Sequence, residues 1–285
     1  MSKKKDYVLS EIEKQINKRL PEPFFPFSTS GTFKQVLLFI LIILNGLHAF
    51  SQNDDNKKSP LLLGGTILVT NNGMSTIPNL SLGKPATIFD LKIAKGKLSF
   101  EPQLRFALKG KPWGFLFWWR YKLLESDKFR FIAGVNPALS FKTISVTNEG
   151  VSKEYMIVRR ILTGELAPTC IVSKKISLGI YWMYSYGVEK ESVRHNNFIS
   201  VRSIFSNIKL SSQYQMRFAP QVYWLNLDEK SGFYVGSTLS LSKSDFPFSI
   251  ASTMNKAIKT EIVQGRNFLW NIGIVYTFNG KYVKV

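Results

Sequence analysis

From about residue 62 onward, apolar and polar side chains alternate along most of the chain. Within 113–123, one set of alternate positions holds Trp113, Phe115, Phe117, Trp119, Tyr121 and Leu123, and the other holds Gly114, Leu116, Trp118, Arg120 and Lys122. Residues 129–142 divide the same way, with Phe129, Phe131, Val135, Leu139 and Phe141 opposed to Arg130, Gly134, Asn136, Ser140 and Lys142. Successive side chains of an extended chain leave on opposite faces, so a period of two marks a strand between two different surroundings. The helical period is sustained nowhere.

Turn residues between these runs predict about twelve strands (roughly ten to fourteen), near 62–70, 86–94, 97–108, 113–123, 129–143, 154–172, 176–188, 197–209, 213–226, 231–242, 247–256 and 267–278. The run 154–172 contains Gly164 and Pro168 and is expected to be bulged or split. Links after even-numbered strands are short, as at Lys95 and Gly96 or Lys243 to Phe246. The long polar links, 71–85, 144–153, 189–196 and 257–266, follow odd-numbered ones. Long loops at one end and tight turns at the other, with an even strand count, is the organisation of a transmembrane β-barrel. The chemistry of the faces agrees. Large aromatics fill one face of strand after strand, which suits lipid and its interfaces, while Gly, Ser, Asn, Gln and Arg on the other suit a polar lumen.

Upstream, the uninterrupted apolar run is only Val36 to Leu44, too short for the roughly 20 residues of a membrane-spanning helix. Lys34 precedes it, Asn45 and Gly46 follow it, and Ala49 and Ser51 place small residues before Gln52, which is the pattern of a cleaved signal peptide. The expected organisation is an extended amino-terminal region with signal peptide at 1–51 (apolar core 36–44), a linker at 52–61 and a barrel at 62–285.

Composition narrows the classes further. The chain has 285 residues, 45% apolar and 14% aromatic, which is enough to bury a core and argues against disorder. Its single cysteine, Cys170, excludes a disulfide framework or a thiolate metal cluster. The formal charge is +19; seven basic and four acidic residues precede position 52, so +16 belongs to the remainder. Export, and the lack of a basic helix or an aromatic stacking motif, argue against nucleic acid as the partner of that charge.

The alternation across the chain, the signal-like segment and the final run from Leu269 to Phe278 together resemble the small outer-membrane β-barrel proteins of Gram-negative bacteria, porin-like or OmpA-type. In that last run Trp270, Ile272, Ile274, Tyr276 and Phe278 share a face, similar to the strand by which such barrels are recognised for assembly, although Asn279 to Val285 follow the terminal aromatic. The resemblance implies an all-β fold in the cell outer membrane, with outer-membrane lipids and the barrel assembly machinery as partners.

Charged residues on the inferred inward faces are the candidate site: Glu101, Arg105, Arg120, Arg130, Glu165 and Arg217, with Arg159 a weaker member because Arg160 takes the opposite face. They are read either as a basic lumen that favours small anionic solutes or as ion pairs that plug and stiffen a narrow barrel. Bulky inward residues, Trp118, Tyr181, Met183 and Tyr223, favour the plug. Ser200 and His195 are imaginable as nucleophile and base of a lipid-modifying barrel, but no surrounding motif supports them, and His195 reads as a loop residue. No catalytic, cofactor or metal site is expected; Asn53, Asp54 and Asp55 read as solvated linker. The expected function is structural or that of a narrow passive pore. The alternatives are a lipid-modifying outer-membrane enzyme and a membrane-anchored periplasmic β-sandwich binding protein.

Overall fold

The computed structural model describes residues 60–282 apart from 76, 149–150, 191 and 264–266, so the proposed signal peptide and nearly all of the linker lie outside the described residues. The described chain forms twelve strands: β1 (Leu61–Thr70), β2 (Ala86–Lys95), β3 (Leu98–Ala107), β4 (Pro112–Glu125), β5 (Phe129–Asn148), β6 (Val151–Ile171), β7 (Ile176–Gly187), β8 (His195–Lys209), β9 (Tyr214–Leu227), β10 (Lys230–Lys243), β11 (Phe248–Thr260) and β12 (Phe268–Tyr282). Each pairs antiparallel with its sequence neighbours, and β1 pairs with β12 from Leu61↔Tyr282 to Thr70↔Gly273, so the sheet is a closed barrel. Closure leaves no edge strand in the wall, and every wall ladder has a partner on both sides. This excludes the periplasmic sandwich.

The tight turns use backbone that few residues adopt. Gly96 (φ 58°) sits between β2 and β3, Asp228 (φ 51°) between β9 and β10, and Asp245 (φ 58°) between β10 and β11. Asp228 also accepts the backbone N–H of Arg194 at 3.0 Å and of His195 at 2.8 Å, tying the start of β8 to this turn.

Burial departs from that of a soluble protein on the outer face. Asn136, Thr163, Glu165, Ser185, Ser200 and Asn271 are buried, whereas Val135, Leu162, Ile180, Val222 and Ile274 are each more than half exposed. Soluble chains do not show water a continuous apolar belt of this kind, and a bilayer accepts it. Ile180, Val201, Val222 and Val235 are register partners in a row around the outside. Aromatic pairs lie toward the strand ends: Phe100 with Trp119 (4.5 Å), Phe205 with Phe218 (6.3 Å) and Phe248 with Tyr276 (5.1 Å) at the turn end, Phe106 with Phe115 (5.4 Å) at the loop end. Such positions match the two membrane interfaces.

Three expectations change. Trp113 was expected on the outer face, but the β3–β4 register shifts between Arg105 and Phe106, which makes Trp113 the extra residue of a bulge. It turns inward, 6% exposed, beside Ala86 and Ile88. The segment 144–153, expected as a loop, is mostly strand: β5 and β6 continue pairing out to Asn148↔Val151. Because β4 pairs with β5 only as far as Ser140 and β7 with β6 only from Ile161, the outer parts of β5 and β6 form a two-stranded ribbon beyond the wall. Finally, β6 is neither split nor bulged; its ladder to β7 merely skips Ala167 and Pro168 without a change of register.

Candidate functional site

The inward side chains of the twelve strands converge on the lumen, and two chemically different walls meet there. On the side of β2 to β8, charges are chained across strands. The Lys92 ammonium lies 2.6 Å from Glu101 Oε1, which also accepts from Ser99 Oγ at 2.9 Å. Glu101 Oε2 pairs with Arg120 Nη1. Arg120 in turn holds Glu165 through two bonds, Nε to Oε1 at 2.5 Å and Nη2 to Oε2 at 3.3 Å. The Tyr181 hydroxyl donates to Glu165 Oε2 at 2.6 Å, and the Arg202 guanidinium lies 4.8 Å from the Tyr181 ring centre.

A local feature makes the central pair possible. Arg120 and Glu165 stand on β4 and β6, with Gly134 of β5 in register between them. A Cβ at Gly134 would meet Glu165 Oε1 at 2.8 Å and Arg120 Cγ at 3.2 Å, so glycine there leaves the space through which the two side chains cross β5. The Glu165 side chain is only 2% exposed, and a carboxylate so buried needs its charge matched.

Arg105 belongs to a second group. Its Nε donates to Gln103 Oε1 at 2.5 Å, Gln103 Nε2 donates to Asp90, and the guanidinium lies 5.1 Å from the Trp113 ring centre. Trp113 Nε1 donates to the Leu80 carbonyl at 2.9 Å. Together they hold the β1–β2 loop, with its short 3₁₀ turn at Pro78–Leu80, inside the barrel mouth.

On the side of β7 to β11 the lumen is aromatic. Tyr181, Phe198, Tyr223 and Tyr234 form a continuous series of ring contacts, with centroids 5.9, 4.8 and 4.8 Å apart. Tyr223 and Tyr234 are stacked at 8°, and their hydroxyls are anchored by Asn255 Nδ2 (2.5 Å) and Thr260 Oγ1 (2.7 Å). Leu225, Leu227 and Met183 pack with them, as do Ile77 from the β1–β2 loop and Ile262 from the β11–β12 link. Trp118 of β4 joins the same buried cluster, so it reaches from one wall to the other. The cluster thus takes side chains from both walls of the lumen.

Of the residues singled out in the sequence, the fold brings Glu101, Arg120 and Glu165 together, places Arg105 in the neighbouring group, and leaves Arg130 and Arg217 toward the turn end. Arg130 Nε lies 3.6 Å from Glu125 Oε1 at the rim, and Arg217 is exposed on the inward face of β9. Arg159 keeps the inward parity, while Arg160, on the outward parity, bonds Glu189 of the β7–β8 link at 2.7 Å. Ser200 and His195 are not assembled. Ser200 is inward and buried; His195 is exposed on the outward face, its Nδ1 2.7 Å from the Tyr184 hydroxyl, and five strand residues put them about 16 Å apart. Cys170 is exposed on the outward face. Sequence reading missed Lys92, Asp90 and Arg202; the first two stand at alternate positions of β2 with inward parity, which was a usable signal.

A closed antiparallel barrel with a continuous apolar belt on its outside is a transmembrane β-barrel of the outer-membrane type. No family model matches the chain, and no curated protein does. Among solved structures it is similar to the NanC porin (10% identity over 78% of this chain and 100% of that one, TM-score 0.45). It is similar also to the KdgM porin (8%, 76% and 99%, TM-score 0.45) and to LpxR from Salmonella typhimurium (9%, 75% and 100%, TM-score 0.44). Likenesses this distant carry nothing about ligand or activity to this chain.

Proposed function

We propose that this protein is a passive outer-membrane barrel with a closed lumen, structural in its resting state and without a catalytic centre built on Ser200 and His195. The observation that carries this reading is one buried cluster, the proposed septum: Trp118 of β4 shares it with Met183, Phe198, Tyr223 and Tyr234, and Phe198 is fully buried within it. The ion chain on the other wall supports the stiffening role, since it links β2, β3, β4, β6 and β7 without any backbone bond between non-neighbours. Outer-membrane lipids are the partners of the apolar belt. The outward row Trp270, Ile272, Ile274 and Tyr276 on β12 supports recognition by the assembly machinery.

The test is electrical. Purified, folded barrel in a planar bilayer is expected to show no steady conductance; sustained single-channel currents from the wild-type chain would overturn the closed-lumen reading and restore the narrow pore.

A further inference from the structure

Below the septum, toward the turn end, two cavities of similar size open on opposite sides of the lumen, and their charges differ. One, about 470 Å³, is lined by Asp90, Lys92, Glu101 and Arg120; Glu101 pairs with both bases, and Asp90 accepts from Gln103. The other, about 410 Å³, lies against β5 to β8 and is lined by Arg130, Lys174, Lys175 and Arg202 with no carboxylate in its lining. Of the acids around it, Glu125 lies 3.6 Å from Arg130 and 2.9 Å from Lys122, and Glu165 acts on Arg202 through space.

We infer that this second cavity is a binding site for a small organic anion, one with a phosphate, sulfate or carboxylate head and a short apolar body. Four cations around a concave space raise the local concentration of anions. Hydroxyls suited to an oxyanion, Thr169, Ser177 and Ser206, stand at inward positions of β6, β7 and β8. Arg202 presents its guanidinium into the lumen from a fixed seat on the Tyr181 ring. The remaining surface is aliphatic: Ile132, Ile171 and Ile204 line the same space. A bare inorganic ion would leave both the volume and this aliphatic wall unused, so the body of the ligand is assigned to the isoleucines and its head to the cations.

The inference goes beyond the closed-lumen reading and does not require it, because conductance tests the septum and equilibrium binding tests the cavity. Butyl phosphate and inorganic phosphate are titrated into the full-length barrel in non-ionic detergent at low salt, with folding checked by heat-modifiable gel migration. Butyl phosphate is expected to bind saturably and more tightly than inorganic phosphate, to weaken tenfold or more in Arg202→Gln, and to stay within twofold in Lys230→Gln, which removes the same charge at the loop end. Absence of saturable binding, or equal loss in both variants, overturns the site; equal affinity for the two probes overturns the apolar body.

Discussion

The two walls of the lumen solve the same packing problem with opposite chemistry. Between β2 and β6 charged side chains stand among the inward positions, and the space is crossed by long side chains joined through ion pairs. Between β7 and β11 the buried side chains include a series of aromatic rings with aliphatic neighbours, and the space is filled by ring contacts. The first wall is specific but costly, because each buried charge depends on a partner, and loss of one strands the other. The second is less directional, and its loss leaves a hole without an orphaned charge. Tyr181 belongs to both, with its hydroxyl on Glu165 and its ring against Phe198, so it is the seam between them.

The comparison is broken most severely at Arg120. Arg120→Met leaves the Glu165 carboxylate with only the Tyr181 hydroxyl, and a loss of about 3–5 kcal/mol is expected in urea unfolding from lipid vesicles. Combining it with Glu165→Leu should recover most of that loss; a double variant no better than the single would show that the pair acts through something other than matched charge. Phe198→Ala probes the other wall. It should cost about 3 kcal/mol, near the low end for a buried ring because lumen water can enter, and it should introduce conductance that Arg120→Met does not. A silent Phe198→Ala barrel would place the closure elsewhere.

Neither wall is touched by Val222→Arg, which puts a cation on the outward face among Val201 and Val235. A loss of about 2–3 kcal/mol in vesicles is expected, and a negligible loss would argue that lipid does not cover this row. Gly134→Ala sharpens the account of the ion chain. The added methyl presses on Glu165 and Arg120, and a loss of about 1–2 kcal/mol is expected, much reduced in the Arg120→Met background.

The smallest effect is expected beyond the wall, where Lys111 Nζ lies 2.5 Å from Glu154 on the ribbon. The hydrogen bond from Lys111 holds the Glu154 carboxyl below its ordinary value. A lowered folded-state value contributes stability above the ordinary carboxylate range and loses it as pH falls through the folded value. Both groups are exposed, so Glu154→Gln should leave urea midpoints unresolved from wild type at neutral pH, and a clear shift there would show the ribbon to be part of the cooperative unit.

The strands were legible because a period of two over ten or more residues has few alternative explanations, and the turn chemistry of Gly96, Asp228 and Asp245 lies where the alternation stops. The lumen was legible only by parity. Parity identified Glu101, Arg120 and Glu165 as inward, and Trp118, Tyr181, Met183 and Tyr223 as bulky companions. It misplaced Trp113, because a one-residue bulge reverses the face of the residue it inserts and leaves no mark in the alternation. It also read 144–153 as loop, since a free-standing ribbon exposes both faces and has no reason to separate polar from apolar.

By itself, then, the order of residues determined the strands and, away from bulges, which face of each is apolar, because a period of two places alternate side chains in different surroundings; closure of the sheet was decided by the β1–β12 pairing. Partners across the lumen were decided only by the tertiary structure. Register sets the height of every inward side chain, and the gap at Gly134 sets which of them can cross a strand, so pairing of Arg120 with Glu165 and stacking of Phe198 on Tyr223 are consequences of closure that no local pattern encodes.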